Sequence, residues 1–535
     1  MRNEFIFVSI SLVVSILLGS LVYPAVLWAF LLIVPLLAVG FYDYFQTHST
    51  LKRNFPLLAR GRWLAETLRP PVRQYFIEGD LEGTPISRMF RSVVYQRSKK
   101  ALDTVPFGTQ SDVYRVGYEW IGHSLGAVKG GHSETDLRVS VGSSQCKQPY
   151  QASIFNISAM SFGALSKNAV LALNGGAKMS GFAHNTGEGG ISPYHLEHGG
   201  DLIWQIGTGY FGCRTPEGKF CSDSFSENAS KENVKMIEIK LSQGAKPGHG
   251  GILPAVKNTE EIALIRHVEP GTQVDSPPTH TAFETPLELA NFVGELRELS
   301  GGKPVGFKLC IGRPEEFISI CKGIEQSGIT PDFITIDGGE GGTGAAPLEY
   351  TNSIGMPLRD GLAFAVDALR GFGLREEIKV VASGKILSGF HLVKNIALGA
   401  DLCYSARGMM LALGCIQALE CNTNHCPTGI ATQNPRFVNG LNVSDKRVRV
   451  ANYHDETVKS VSEIIASVGL TCTSQLHRQH IFRRVSATEV KSYEEIYPSV
   501  DEGAFLKEES YGKYASFIVN SAPGSFTSNE CRICM

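Results

Sequence analysis

The chain has 535 residues, 43% hydrophobic and 19% charged, with 50 Lys and Arg against 52 Asp and Glu for a formal net charge of −2. That length allows a large core and more than one domain, and the balanced charge excludes a strongly basic nucleic-acid binder. Twelve cysteines do not make a disulfide scaffold in a chain of this size, and 57 glycines without a triplet period point to backbone-lined ligand loops rather than a fibre.

At the N-terminus, Phe5 to Val22 and Ala25 to Tyr42 are almost uninterrupted apolar runs, with no charge between Glu4 and Asp43. Each is about 18 residues, near the minimum for a helix crossing a hydrocarbon core. Tyr23-Pro24 supplies the break a hairpin needs. Arg2 lies outside the first run, and Lys52, Arg53, Arg60 and Arg62 follow the second. The reading is a two-helix transmembrane hairpin over residues 1–45, both ends cytoplasmic, anchoring the chain to the cell (inner) membrane with its remaining domain on the cytoplasmic side. A cleaved signal peptide is the rival, but the apolar stretch is long and no small-residue cleavage site precedes the second run. Residues 46–145 read as an extension that packs on the next domain. Within it Arg88, Arg91, Arg97, Lys99 and Lys100 fall in a helical-looking stretch, expected as a solvated face rather than a lipid or phosphate contact.

From residue 146 to 470 the pattern alternates. Lys235 to Leu241, Val305 to Cys310, Phe333 to Ile336, Ile378 to Val381 and Asp401 to Ser405 read as strands. Glu260 to Val268, Pro286 to Leu299, Pro314 to Gln326, Leu358 to Phe372 and Gly389 to Leu398 read as helices. Such alternation means parallel strands with crossover helices: an α/β fold, either a (β/α)8 TIM barrel or a doubly wound sheet. Glycine-rich or polar segments follow the strands, where a barrel carries its chemistry. Residues 471–535 read as a helical extension and tail.

Ser383-Gly384-Lys385 and Ser405-Ala406-Arg407-Gly408 follow the last two predicted strands, the usual phosphate position in a barrel. Backbone N–H groups of Gly384 and Gly408, with a helix start near Gly389, suit a phosphate monoester. Lys308 closes an apolar strand and, if the alternation holds, points into the mouth, where a cation would stabilise a reduced flavin. Further along, Cys415, Cys421 and Cys426 are spaced C-x5-C-x4-C, the last followed by Pro427. Thiolates ligate iron–sulfur clusters, and three of them without a nearby fourth suit a cluster one iron short of the cubane. Three buried structural thiols are the alternative.

Taken in order, Ala159-Met160-Ser161-Phe162-Gly163-Ala164-Leu165-Ser166, His184-Asn185-Thr186-Gly187-Glu188-Gly189-Gly190, Gln243-Gly244-Ala245-Lys246-Pro247-Gly248, Ser276-Pro277-Pro278, Asp337 to Ala345 and the Cys415–Gln433 block resemble the FMN-binding synthase domain of glutamate synthase over roughly residues 140 to 440. The resemblance implies a (β/α)8 barrel with FMN and a 3Fe–4S cluster, reducing 2-iminoglutarate, formed from 2-oxoglutarate and ammonia, to glutamate. It implies cluster ligation by Cys415, Cys421 and Cys426, and flavin contacts from Met160, Ser161, Asn174 and Lys308. By the same resemblance Gly338, Gly339, Gly384, Arg407 and Gly408 lie at or near the FMN phosphate loops, and Ser383, from the loop reading above, joins them as a cofactor contact. Glu188, Gln243, Lys246 and Arg266 hold the oxo acid and link flavin to cluster, with Glu188 able to manage a proton.

Some features depart from that pattern. The family's large enzymes begin with a glutaminase whose first residue is a nucleophilic cysteine; here a membrane hairpin comes first, so ammonia is expected free or from a separate glutaminase. His249 stands where glutamate is usual and, as a candidate substrate contact, leaves open another 2-oxo or 2-imino acid. Asp275 before Ser276 is a further change without an evident role. No G-x-G-x-x-G nicotinamide fingerprint is found, so electrons are expected from a ferredoxin-like protein or a membrane carrier. The terminal Cys531 and Cys534 pair is expected to carry no redox or metal role. An electron-transfer or assembly module without synthase activity is the other reading; Glu188, Gln243, Lys246 and Arg266 favour the enzyme, because electron transfer alone needs no dicarboxylate pocket.

Overall fold

The computed structural model describes residues 2–129, 137–507 and 511–527, so Cys531 and Cys534 lie outside the described residues. The chain forms two compact units, Met1–Arg88 and Met89–Met535.

In the first unit, helix Arg2–Val22 is followed by a 3-10 turn, Pro24–Ala29, and helix Phe30–Phe45. Arg2–Val22 and Pro24–Phe45 are each long and apolar enough to cross a membrane. The second helix starts later than its apolar run because Pro24, lacking an N–H, takes the first position of the 3-10 turn. The Phe5 ring meets Phe41 edge-to-face at 5.4 Å, so the two helices lie side by side. Arg60 donates to both oxygens of the buried Asp43 carboxylate at 2.7 Å, folding helix Leu58–Val72 back against the end of the second apolar helix.

The second unit is built on a closed barrel of eight parallel strands: β1 (Phe155–Ile157), β2 (His184–Asn185), β3 (Leu202–Ile206), β4 (Val234–Lys240), β5 (Val305–Leu309), β6 (Phe333–Asp337), β7 (Lys379–Ser383) and β8 (Leu402–Ser405). Neighbours in sequence are neighbours in space, and β8 closes on β1 through Cys403–Phe155, Tyr404–Asn156 and Ser405–Ile157. That closure separates a (β/α)8 barrel from a doubly wound sheet. The five predicted strands are β4 to β8. The first three escaped the sequence reading because β1 and β2 are short and carry Asn156, His184 and Asn185, and β3 is five residues between glycines.

Helix Lys167–Ser180 starts on the Ser166 hydroxyl, which accepts from Ala169 N, and ends on Gly181 with φ 63°. Thr285 and Glu288 form a capping box before helix Pro286–Leu299. The long helix Val443–Ser467 packs on Lys167–Ser180 where Gly176 permits it: a Cβ there would lie 2.6 Å from a Val450 methyl.

Side chains alternate in and out along each strand. Ile203, Met236, Phe333, Val381, Leu402 and Tyr404 gather toward the N-terminal end, where the hairpin Arg138–Val141/Tyr150–Ser153 adds Val141 and Ala152 and seals the barrel. One layer up, Asn185, Gln205 and Thr335 all donate to the buried Glu238 carboxyl, at 2.7, 2.6 and 2.7 Å. Above that the residues turn charged.

Two expectations change. Arg91 is buried and Arg97 mostly so, bonded to Asp103 at 3.2 Å, because helix Arg88–Ser98 turns its Arg91, Val94 and Ser98 side inward; Lys99 and Lys100 stay exposed. The segment after residue 471 is not simply helical: Ile481–Arg484 and Val490–Ser492 form an antiparallel sheet with Glu119–Ile121.

Candidate active site

The mouth of the barrel starts from two lysines. Lys240 ends β4 and Lys308 lies beside it on β5, their backbones in register. Two cations on one face require carboxylates. Lys308 Nζ lies 3.3 Å from Asp337 Oδ2, whose same oxygen accepts from Gly244 N at 2.8 Å. Lys240 Nζ donates to Glu188 Oε1 at 2.7 Å. Glu188 follows β2, and Gly207 and Gly251 leave room for it, since a Cβ on either would overlap its carboxylate. Burial pushes the Glu188 carboxyl up, but Lys240, then Arg266 and Lys246, overcome this and hold it below the usual carboxylate range.

Lys246 and Arg266 complete the group. Both are buried, at 4% and 5% exposure, and no carboxylate among the described residues pairs with either. Burial brings the Lys246 ammonium down to about 8, helped by Lys240 and opposed by Glu188. Arg266 is likewise lowered by burial, to about 10, with Glu188 opposing. Its guanidinium makes only long bonds, 3.4 Å to Ser161 Oγ and 3.3 Å to Phe162 O, lies over the Phe211 ring, and leaves its buried Nε without a partner. Through Ser161 it meets the loop after β1, which carries Met160. Gln243 reaches from the β4 loop to Thr343 Oγ1 at 3.4 Å, next to the β6 loop. His249 bonds its own loop at Gly250 O, 3.1 Å, and its ring meets Tyr350 edge-on. Asp275 is exposed, and its carboxylate accepts from the Gln273 amide.

The loops after β6, β7 and β8 adjoin on the same end. Gly338 and Gly339 donate their N–H groups to Ser383 O and Met356 O, so they shape the mouth rather than offer free donors to a phosphate. Ser383 Oγ faces Ser158 Oγ at 3.5 Å. Helix Arg407–Leu413 begins without a side-chain cap, leaving its first turn, including Gly408, to other acceptors. Gly408 also faces the Tyr453 hydroxyl. Arg407 donates to Glu340 O at 2.6 Å. Burial lowers the Lys385 ammonium, with Arg407 adding to the effect, and no carboxylate among the described residues pairs with it. Gly384 precedes it at φ 138°, turning the chain between them. A phosphate would find two cations and an uncapped helix turn here.

Asn174 is not brought to the mouth. It sits in the middle of helix Lys167–Ser180 with both amide atoms bound to the backbone of Gly200, just before β3 and so at the opposite end of the barrel. The motif around it serves the packing of two helices.

The three predicted cysteine ligands lie in the loop that follows helix Arg407–Leu413. Cys415 and Cys421 are half-buried and Cys426 is buried, and their thiols act on one another electrostatically. Burial raises Cys415 to about 11 and lifts Cys421 as well. For Cys426, burial is outweighed by hydrogen bonds from the Thr428 side chain and nearby backbone N–H groups, which lower it. Among the described residues no three His, Cys, Asp or Glu gather as ligands of one ion.

Lys240, Glu238, Asp337 and Lys257 were not singled out from the sequence. Lys240 and Glu238 follow from strand parity once β4 is placed, but their partners come from three other strands and loops. Lys257 gives no local signal.

A model of the conserved region in glutamate synthase matches residues 133–471. The chain is 35% identical over 510 residues to the glutamate synthase large subunit-like protein YerD of Bacillus subtilis, covering 88% of this chain and 95% of that one. It is 36% identical over 321 residues to the archaeal glutamate synthase (NADPH) of Methanocaldococcus jannaschii, 60% of each chain. With the glutamate synthase (NADPH) large chain of Bacillus subtilis it shares 33% identity over 325 residues, 59% of this chain but 20% of that protein.

Proposed function

The chain belongs to the glutamate synthase family, and from that premise we propose that it is a membrane-anchored flavin and iron–sulfur oxidoreductase reducing 2-iminoglutarate to glutamate. The observation that carries this reading is a charge count. Around Glu188 stand three cations, Lys240, Lys246 and Arg266, of which only Lys240 is paired. One carboxylate among three buried cations leaves an excess of positive charge that costs several kcal/mol, and a dicarboxylate such as 2-oxoglutarate supplies two negative charges. Arg266 would take one carboxylate in a planar fork and Lys246 the other as a point charge. Glu188, held ionised, would orient the nitrogen by accepting from it.

Lys308 with Asp337, and Lys385 with Arg407 and the uncapped helix turn, would hold the ring and the phosphate of FMN. When bound, that cofactor supplies the hydride for the imine carbon; with a proton on nitrogen, two electrons and two protons turn the imine into the amine. Cys415, Cys421 and Cys426 would ligate a 3Fe–4S cluster carrying electrons inward from a ferredoxin-like or membrane donor. Ammonia would come free or from a separate glutaminase. The two apolar helices support a membrane anchor; in this reading it would lie in the cell membrane, with the barrel on the cytoplasmic side. Its domains would run 1–45, 46–145, 146–470 and 471–535.

His249 beside Tyr350 favours a second reading, in which the substrate is another 2-oxo or 2-imino acid. Both readings meet in one anaerobic experiment. Photoreduced protein given 2-oxoglutarate and ammonia should reoxidise its flavin and yield stoichiometric glutamate. Unchanged flavin absorbance with this pair, but reoxidation by a different 2-oxo acid, favours the second; no reoxidation by any 2-oxo acid with ammonia sinks both.

A further inference from the structure

Lys257 is almost wholly buried, at 2% exposure, in the single turn Ala255–Lys257 that precedes helix Glu260–Arg266. Its Nζ donates to three backbone carbonyls: Cys421 O at 2.7 Å, Ala431 O at 2.8 Å and Ala164 O at 3.3 Å. A neutral amine has two N–H groups, so three acceptors around one nitrogen require the ammonium. Two of the carbonyls belong to the cysteine loop, and the third to the loop after β1 that carries Met160 and Ser161. The same two loops are joined on either side of the lysine. Gln433 Nε2 donates to Gly163 O and Leu165 O, at 3.0 and 2.8 Å. Ser166 donates through its N to Ile430 O and through its hydroxyl to Gly429 O, at 2.8 and 2.6 Å. Gln433 and Ser166 bring no charge to this seam. Lys257 brings one, its Nζ held at 2.7 Å from the backbone oxygen of Cys421.

We propose that Lys257 is a positioning residue for electron passage: its buried ammonium clamps the cysteine loop to the flavin-side loop and fixes a positive charge beside the cluster. The inference rests on the cluster reading above. A cluster gains negative charge on reduction, and a fixed cation in a low-dielectric site favours that state, so the clamp raises the reduction potential. Lys257 thus adds a charged tie to the neutral ones of Gln433 and Ser166 across the same seam.

The test uses the full chain in detergent or lipid discs, with iron and FMN content measured in every variant. A redox titration followed by low-temperature electron paramagnetic resonance should give a more negative cluster midpoint in Lys257→Met. The expected change is at least about tenfold in the reduced-to-oxidised ratio at a fixed potential, or about 59 mV for one electron. Lys257→Arg should stay close to the wild type. Lys257→Gln, which keeps hydrogen bonds without charge, carries the same measurement should the methionine variant lose iron. An unchanged midpoint in either neutral variant overturns the proposal. Hydrogen exchange supplies the second arm: residues 160–166 and 421–433 should lose protection together in Lys257→Met, and unaltered protection in both overturns the clamp. Wild-type protein without iron or a three-iron signal would instead overturn the cluster reading beneath, while the exchange arm still decides the clamp.

Discussion

Glu238, in the middle of the barrel, and Lys246 and Arg266, at its mouth, are polar groups buried to a similar degree within one wall of strands and loops. Glu238 accepts from Asn185, Gln205 and Thr335, side chains supplied by three different strands. Lys246 and Arg266 share the influence of Glu188, whose close ion pair is with Lys240. A buried polar group that is satisfied within the protein stabilises a single arrangement, whereas one left wanting is an instruction to a ligand. The difference lies in where hydrogen bonds end, in the protein or outside it.

Breaking the satisfied half should have the largest effect. Glu238→Ala strands three buried donors, and loss of one partner in such a network costs about 3–5 kcal/mol; the expected outcome is a large drop in the denaturant midpoint. An unchanged midpoint would remove the distinction. The mouth should behave in the opposite way. Lys246→Met relieves a buried cation and should leave stability equal or raise it by about 1 kcal/mol. In turnover with 2-oxoglutarate, KM should rise about 30- to 1000-fold, the 2–4 kcal/mol of a desolvated charge contact. Arg266→Lys should share the KM effect, because a point charge does not replace a planar fork. A fall in stability with no change in KM would make both cations structural.

The barrel was legible because β4 to β8 are apolar strands that alternate with capped, amphipathic helices, and that alternation is local. The loops at the barrel mouth were legible from their glycines, but what each glycine does was not. Gly338 and Gly339 spend their N–H groups on Ser383 and Met356, contacts 45 and 17 residues away along the chain, and no spacing rule gives that. Asn174 misled for the same reason: a motif states which residues travel together, not which end of a helix they face. Arg91 misled through the assumption that a cluster of cations is solvated, although its helix turns that face inward. Lys240 and Lys257 were missed because their partners, Glu188 for one and Cys421 with Ala431 for the other, are brought in by distant segments.

A smaller effect sharpens the comparison within the mouth itself. Lys240 is the paired cation, so Lys240→Met should act through Glu188 rather than on the substrate directly. Without it the Glu188 carboxyl moves upward. The acid limb of the kcat/KM profile should then shift to higher pH, with a loss of activity at a fixed pH inside the limb. Lys240→Arg should restore the wild-type profile, and an unshifted limb in the methionine variant would separate Lys240 from Glu188.

The smallest effect is a pH dependence with its sign fixed by Lys246. Burial lowers this ammonium from its ordinary 10.5 to about 8. Between those values the unfolded chain holds more protons than the folded one, so stability rises with pH across roughly 8 to 10.5 and the group's burden is fully present below about 8. Binding runs the other way. A carboxylate needs the charged form, so the affinity for 2-oxoglutarate should fall as pH climbs above about 8, at most tenfold per unit. One side chain thus makes the empty protein more stable and the complex weaker over the same interval. Calorimetric binding titrations at pH 7, 8 and 9, beside thermal unfolding at the same values, should show the opposed slopes in the wild type and neither in Lys246→Met. Flat responses in both measurements would mean that Lys246 keeps its proton throughout, and that its charge is satisfied inside the protein as Glu238 is.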